Sequence, residues 1–124
     1  MTAPLLQVAL GGAIGASARY GVNVIALRVF PGLPIGTLFV NIAGSFVMGL
    51  LAAILVDRGA HGAAPFLLTG VLGGFTTFSA FSLDALTLWE RGQPGLAAGY
   101  IIFSVAGALI AVFCGLLLGR AVIA

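Results

Sequence analysis

The sequence predicts an all-α membrane protein with four transmembrane helices, the third broken at its centre, forming one domain over residues 1–124. Three observations predict it. The chain is 61% hydrophobic and 6% charged, with a mean hydropathy of +1.25, whereas a soluble domain carries about a quarter charged residues. Its 19 glycines suit membrane helices, where small residues let backbones approach closely. Four apolar segments, each longer than the ~20 residues needed to cross the hydrocarbon core, are joined by short connections.

The first helix is predicted from about Pro4 to Val29, the second from Pro34 to Val56, the third from Pro65 to Trp89 and the fourth from Pro94 to Ile123. Prolines stand at or near each start, where a missing N–H is harmless. The opening Met-Thr-Ala-Pro-Leu-Leu-Gln has no basic n-region, and the apolar stretch runs past the length of a signal core, so the first helix is read as retained. Connections at Phe30–Leu33, Asp57–Ala64 and Glu90–Gln93 leave no room for a soluble domain. Small residues recur four apart at Gly11/Gly15, Ser45/Gly49, Gly70/Gly74, Gly95/Gly99 and Gly115/Gly119. Such pairs predict tight helix contacts, within a protomer or between protomers.

The formal charge is +2, from five arginines against Asp57, Asp84 and Glu90. No basic cluster exists, which excludes a nucleic-acid footprint. Cys114 is alone, so no disulfide forms within the chain, and it is read as a small packed hydrophobe. With four spans, Arg58 and Arg120 fall on one side of the membrane and Arg28 and Arg91 on the other. The positive-inside rule then has nothing to act on, and a chain that inserts in both orientations, as an antiparallel dimer, becomes an expectation. Counting Arg19 with Arg28 instead would tip the balance to one side.

The third span carries the most information. Leu72–Asp84 reads Leu-Gly-Gly-Phe-Thr-Thr-Phe-Ser-Ala-Phe-Ser-Leu-Asp. Gly73-Gly74 and Thr76-Thr77 are poor helix formers and predict a break. In hydrocarbon a break strands main-chain polar groups at several kcal/mol each, so it survives only when buried, wetted or holding an ion. On the second helix Thr37, Asn41 and Ser45 fall on one face. On the fourth, Tyr100 and Ser104 make a similar pair, although Tyr100 also suits an interfacial anchor. Each alone is read as a helix–helix hydrogen bond; beside a broken polar centre, the stripes favour a pore lining. Phe78 and Phe81 follow the break on one face, and the positive edges of their rings can attract a small anion weakly. No carboxylate sits near mid-membrane, which argues against a proton relay. Arg19 lies well inside the first span. It either snorkels to the surface or makes a vestibule electropositive.

Gly73-Gly74-Phe75-Thr76-Thr77-Phe78-Ser79-Ala80-Phe81-Ser82 resembles the signature of the small bacterial fluoride channels, the Fluc or CrcB family. Gly36-Thr37-Leu38-Phe39-Val40-Asn41 with Gly44 and Ser45 is similar to the family's second-helix motif, and Gly11-Gly12-Ala13-Ile14-Gly15 through Arg19-Tyr20 to its first. The resemblance implies a dual-topology antiparallel homodimer in the cytoplasmic membrane, with two pores that pass fluoride selectively and relieve its toxicity. It implies a pore lined by Thr37, Asn41, Phe78, Ser79, Phe81, Tyr100 and Ser104. It also implies a structural sodium ion (Na+) on the dimer axis, held by the carbonyls of Gly73 and Thr76. Ala80 departs from the family's usual threonine, in a polar track beside the phenylalanines, and Asp84 stands where glutamate is common.

Two other readings compete. A small multidrug-type transporter would need a carboxylate deep in the first helix, which has none. A non-transporting membrane assembly subunit would tolerate loss of Asn41 or Phe78. An enzyme is not expected, because no nucleophile–base pair or metal cluster can be assembled, and His61 falls in a connection as a solvated residue.

Overall fold

The computed structural model describes residues 2–59 and 61–124; Met1, in the opening segment, and Ala60, in the predicted second connection, lie outside the described residues. The described chain is helical and has no strand. Helix α1 spans Thr2–Val29 and α2 spans Ile35–Asp57. A short 3-10 turn, His61–Ala63, leads into a π-helical segment, Pro65–Leu72, and a single α-turn, α3, at Gly73–Phe75. After Thr76 and Thr77 the chain resumes as α4, Phe78–Glu90, and ends in α5, Pro94–Ile123. Gly92, at φ 78, closes α4. It lets Gln93 N–H reach back to the Leu88 carbonyl at 3.1 Å, a left-handed cap that glycine adopts without a Cβ penalty.

Three segments, Ile35–Asp57, His61–Glu90 and Pro94–Ile123, are long and apolar enough to cross a membrane. The chain is a multi-pass membrane protein. Helix α1 has the length, at 28 residues, but Gln7, Arg19 and Asn23 dilute its apolar content. Large apolar side chains such as Ile14, Ile102, Phe103, Ile110 and Phe113 point outward, as a lipid solvent allows. Small residues make the close helix contacts, and a few large side chains, among them Val40, Phe81, Leu88 and Tyr100, are buried.

Packing is heaviest along two seams, and α1 also touches α2. Helix α1 runs against residues 65–75, whereas α2 runs along α5, on which α4 also leans. Glycines make both seams. A Cβ on Gly11 would stand 2.5 Å from the Phe66 carbonyl oxygen, and one on Gly15 would strike the Val71 carbonyl. On the other seam, Gly49 abuts the Val112 carbonyl and Gly115 the Phe46 carbonyl. Four of the predicted small-residue pairs therefore touch a neighbouring helix, at one member or both. Gly95/Gly99 has open space within the chain. Cys114 is exposed, not packed as the sequence suggested, because the small residues of α5 that face α2 are its neighbours in sequence, Ala111 and Gly115.

Candidate functional site

The break falls at the threonines and not at the glycines. Gly73 keeps helical angles, φ −63 and ψ −36, while Thr76 (φ −90, ψ 157) and Thr77 (φ −154, ψ 124) are extended. The physical reason is a division of labour. Gly74 must be small because its Cα lies against α1, where a Cβ would come 2.8 Å from the Gly12 oxygen. The β-branched threonines tolerate the extended backbone and carry hydroxyls that bond the main chain on either side of the break. Thr76 Oγ1 donates to the Leu72 carbonyl at 3.0 Å. Thr77 Oγ1 accepts from Ala80 N–H at 3.1 Å and so caps α4.

Side chains from two other helices reach into the break. Arg19 of α1 donates from Nε to the Gly74 carbonyl at 3.0 Å. Asn41 of α2 makes two bonds to one residue. Its Nδ2 donates to the Thr77 carbonyl at 3.0 Å and its Oδ1 accepts from Thr77 N–H at 2.7 Å. Gly44 permits this approach, since any Cβ there would collide with the Thr76 methyl. Among the described residues, no hydrogen bond engages the carbonyls of Gly73 and Thr76.

Beside the break lies a cleft of about 290 Å³. Helix α2 contributes Asn41 and Ser45, the break Thr76 and Thr77, α4 Phe78 and Phe81, and α5 Ser104, Val105, Ala108 and Leu109. The two phenylalanine rings stand 5.5 Å apart at 50°, and Phe81 lies 5.4 Å from Tyr100. Their settings differ sharply: Phe78 is 78% exposed and Phe81 only 8%. Ser104 is 5% exposed, and its Oγ has no hydrogen-bond partner among the described residues. The amino end of α4 also opens here, and the first N–H groups of a helix carry partial positive charge. The cleft therefore offers donors and ring edges, and among the described residues no charged side chain lines it.

Among the residues expected at the site, Asn41, Phe78, Phe81, Ser104 and Thr76 share this cleft. Thr37 and Tyr100 are buried next to it. Tyr100 is not an outward-facing interfacial anchor: its hydroxyl donates to Asp84 Oδ2 at 3.0 Å. Ser79 is exposed outside the cleft, with Oγ 3.2 Å from Thr77 Oγ1. Arg19 reaches the break from the α1 side and does not line the cleft. The sequence reading missed three features: the Asp84–Tyr100 pair, the partner of Arg19 and the paired hydrogen bonds of Asn41. A polar residue at mid-span must find partners, but spacing does not reveal which ones.

Comparison with known proteins places the chain in a family. The family described as "CrcB-like protein, Camphor Resistance (CrcB)" matches residues 6–116. A protein of Paracoccus denitrificans (strain Pd 1222), named fluoride-specific ion channel FluC, is 63% identical over 119 residues, 96% of each chain. One of the same name from Cereibacter sphaeroides (strain ATCC 17029 / ATH 2.4.9) is 59% identical over 117 residues, 94% of each chain. A third, from Ruegeria sp. (strain TM1040), is 50% identical over 125 residues, 99% of each chain. With residues 6–116 matched by the family and relatives of 50–63% identity over nearly the whole length, the chain belongs to the CrcB-like family.

Proposed function

We propose that this chain is a fluoride-selective ion channel, which lets fluoride leave the cytoplasm passively across the cytoplasmic membrane and so lowers its toxicity. The observation that carries the reading is 50–63% identity, over nearly the full length, to relatives named for fluoride. The chemistry of the cleft supports it. Fluoride is small and strongly hydrated, so a pathway must replace its water with donors while binding weakly enough to release it. Asn41, the unpartnered Ser104 hydroxyl, the edges of Phe78 and Phe81 and the amino end of α4 meet that need without a fixed charge. On this reading Thr37, Ser79 and Tyr100 extend the lining and Arg19 makes the vestibule electropositive. A passive channel makes and breaks no covalent bond, so it is not an enzyme.

The same proposal makes α1 the fourth span, since it packs along residues 65–75 of the third. It makes the working unit an antiparallel homodimer with two pores. The even arginine balance supports this, as does the exposed face of Gly73, Phe78 and Ser79, which a second copy would cover. Cysteine labelling at each terminus in intact cells is expected to find both termini on both sides. One fixed orientation for all molecules would remove the antiparallel pair.

A structural sodium ion on the dimer axis belongs to this reading too. Gly73 and Thr76 would hold it through carbonyls that no hydrogen bond engages among the described residues. Uncharged oxygen donors suit a hard monovalent cation. Once bound, the ion would supply a fixed positive charge near the pathway. Thr76→Ser keeps both carbonyls and is expected to keep sodium-dependent thermal stability; a variant that no longer responds to sodium would count against main-chain ligation.

Fluoride efflux from liposomes holding the purified protein, with chloride as control, tests the function. Efflux of fluoride alone is expected. No efflux would leave the assembly-subunit reading, and proton-coupled transport of a lipophilic cation would favour the multidrug-type transporter.

A further inference from the structure

The pair of hydrogen bonds between Asn41 and Thr77 does more than steady a broken helix. Thr77 is extended, at φ −154 and ψ 124, so its N–H and C=O point to the same side, as in one residue of a β-strand. Asn41 answers that edge as a neighbouring strand residue would. Its Oδ1 accepts at 2.7 Å and its Nδ2 donates at 3.0 Å. An asparagine amide holds one oxygen and two N–H donors in a plane. The clamp occupies the oxygen and the nearer N–H, and the second N–H is directed away from Thr77. Turning the amide over would set N–H against N–H and oxygen against oxygen, losing both bonds and leaving the main chain of Thr77 unpaired. The amide therefore has one stable orientation, and it lines the cleft.

We propose that Thr77 fixes the orientation of the Asn41 amide, so that the cleft meets a free N–H and not the amide oxygen. This rests on the fluoride-channel reading and adds a source of charge selection to it. An unrestrained asparagine presents a donor to an anion or, after rotating, an oxygen to a cation. A clamped one has a fixed sign. Asn41 is then both a donor and a positioned group, and the break in the third span is what supplies the extended residue that positions it.

Two substitutions separate the parts. Asn41→Gln keeps the amide but sets it one methylene farther out, which loses the register with Thr77. Asn41→Asp keeps an acceptor for Thr77 N–H but has no N–H, so it loses the bond to the Thr77 carbonyl together with the free donor. The measurements are fluoride efflux from liposomes and hydrogen exchange at the Thr77 amide, read by NMR in nanodiscs. In the wild type the Thr77 amide is expected to be protected although its own helix gives it no partner. Asn41→Gln is expected to lose both protection and flux. Asn41→Asp is expected to keep protection and lose flux. Wild-type flux in Asn41→Gln would overturn the inference, because the amide would then work unclamped. Wild-type flux in Asn41→Asp would also overturn it, because the splint alone would suffice. Should a variant not assemble, the wild type decides: rapid exchange at Thr77 in a conducting channel removes the clamp. A wild type with a protected Thr77 and no fluoride flux instead removes the channel reading, and with it the role of the donor.

Discussion

The two halves of the third span are held by different means. Residues 65–75 are held by main chain, with Gly11, Gly15 and Gly74 bringing α1 into backbone contact with this half. Residues 78–90 are held by side chains, with Phe81 and Leu88 packed on Ala97 and Tyr100 and with Asp84 accepting from Tyr100. Where backbones touch, an added carbon must displace a carbonyl that has nowhere to go. Where side chains touch, neighbours can change rotamer and repack. The span is therefore two short helices with separate hosts, a fixed wall on α1 and an adjustable wall on α5, and the extended threonines mark the boundary.

Substitutions on either side test this contrast. Gly15→Val should have the largest effect. Its Cβ would meet the Val71 carbonyl and come 2.8 Å from the Phe75 nitrogen, so the cost should exceed the ~3 kcal/mol of ordinary overpacking. No monodisperse protein is expected on size exclusion; recovery of stable protein would mean that this wall can yield. Phe81→Ala comes next, at about 3 kcal/mol for a buried ring, read as a fall in thermal unfolding temperature.

Phe78→Ile should lower that temperature less than Phe81→Ala, because the ring packs little within its own chain, where it is 78% exposed. It should slow fluoride flux roughly fivefold, the equivalent of an aromatic edge worth about 1 kcal/mol. Unchanged flux would make the ring lipid-facing filler. Thr77→Val removes the cap on α4 while leaving the main-chain bonds to Asn41, so it should cost about 1 kcal/mol. The loss should appear as faster exchange at Ala80 with little change at residues 65–75. The smallest effect belongs to Gly95→Ala. No atom lies within 4 Å of a Cβ there, so a gain of up to ~1 kcal/mol from helix propensity is expected.

Much of this was legible in the sequence, and what was not has a physical cause. The third and fourth helices begin at Pro65 and Pro94 as proline placement predicts, and α1 and α2 depart from their predicted limits by two residues or fewer at either end. The break was legible as a region, because Gly-Gly and Thr-Thr both disfavour helix. Its position was not. Propensity describes a residue in water or in an isolated helix, and here Gly74 lies directly against α1 while the turn it belongs to stays helical. The π-helical turns at Pro65–Leu72 left no pattern to read, since one apolar sequence serves either winding. The cleft residues were legible as polar or aromatic positions on shared faces. That Phe81 would be buried and Phe78 exposed was not, because both lie on the same stripe and only the position of α5 separates them.

The break has an electrical consequence. Within two residues the chain ends one helix and starts another, so the negative pole of the first abuts the positive pole of the second. Arg19 and Asn41 take up the Gly74 and Thr77 carbonyls, while those of Gly73 and Thr76 stay unengaged among the described residues. The spare N–H groups belong to the start of α4. A stretch with no acid or base of its own thus presents both signs of potential about one helical turn apart, as a small built-in double layer. Its polarity is set by chain direction alone, so no change of pH can discharge it.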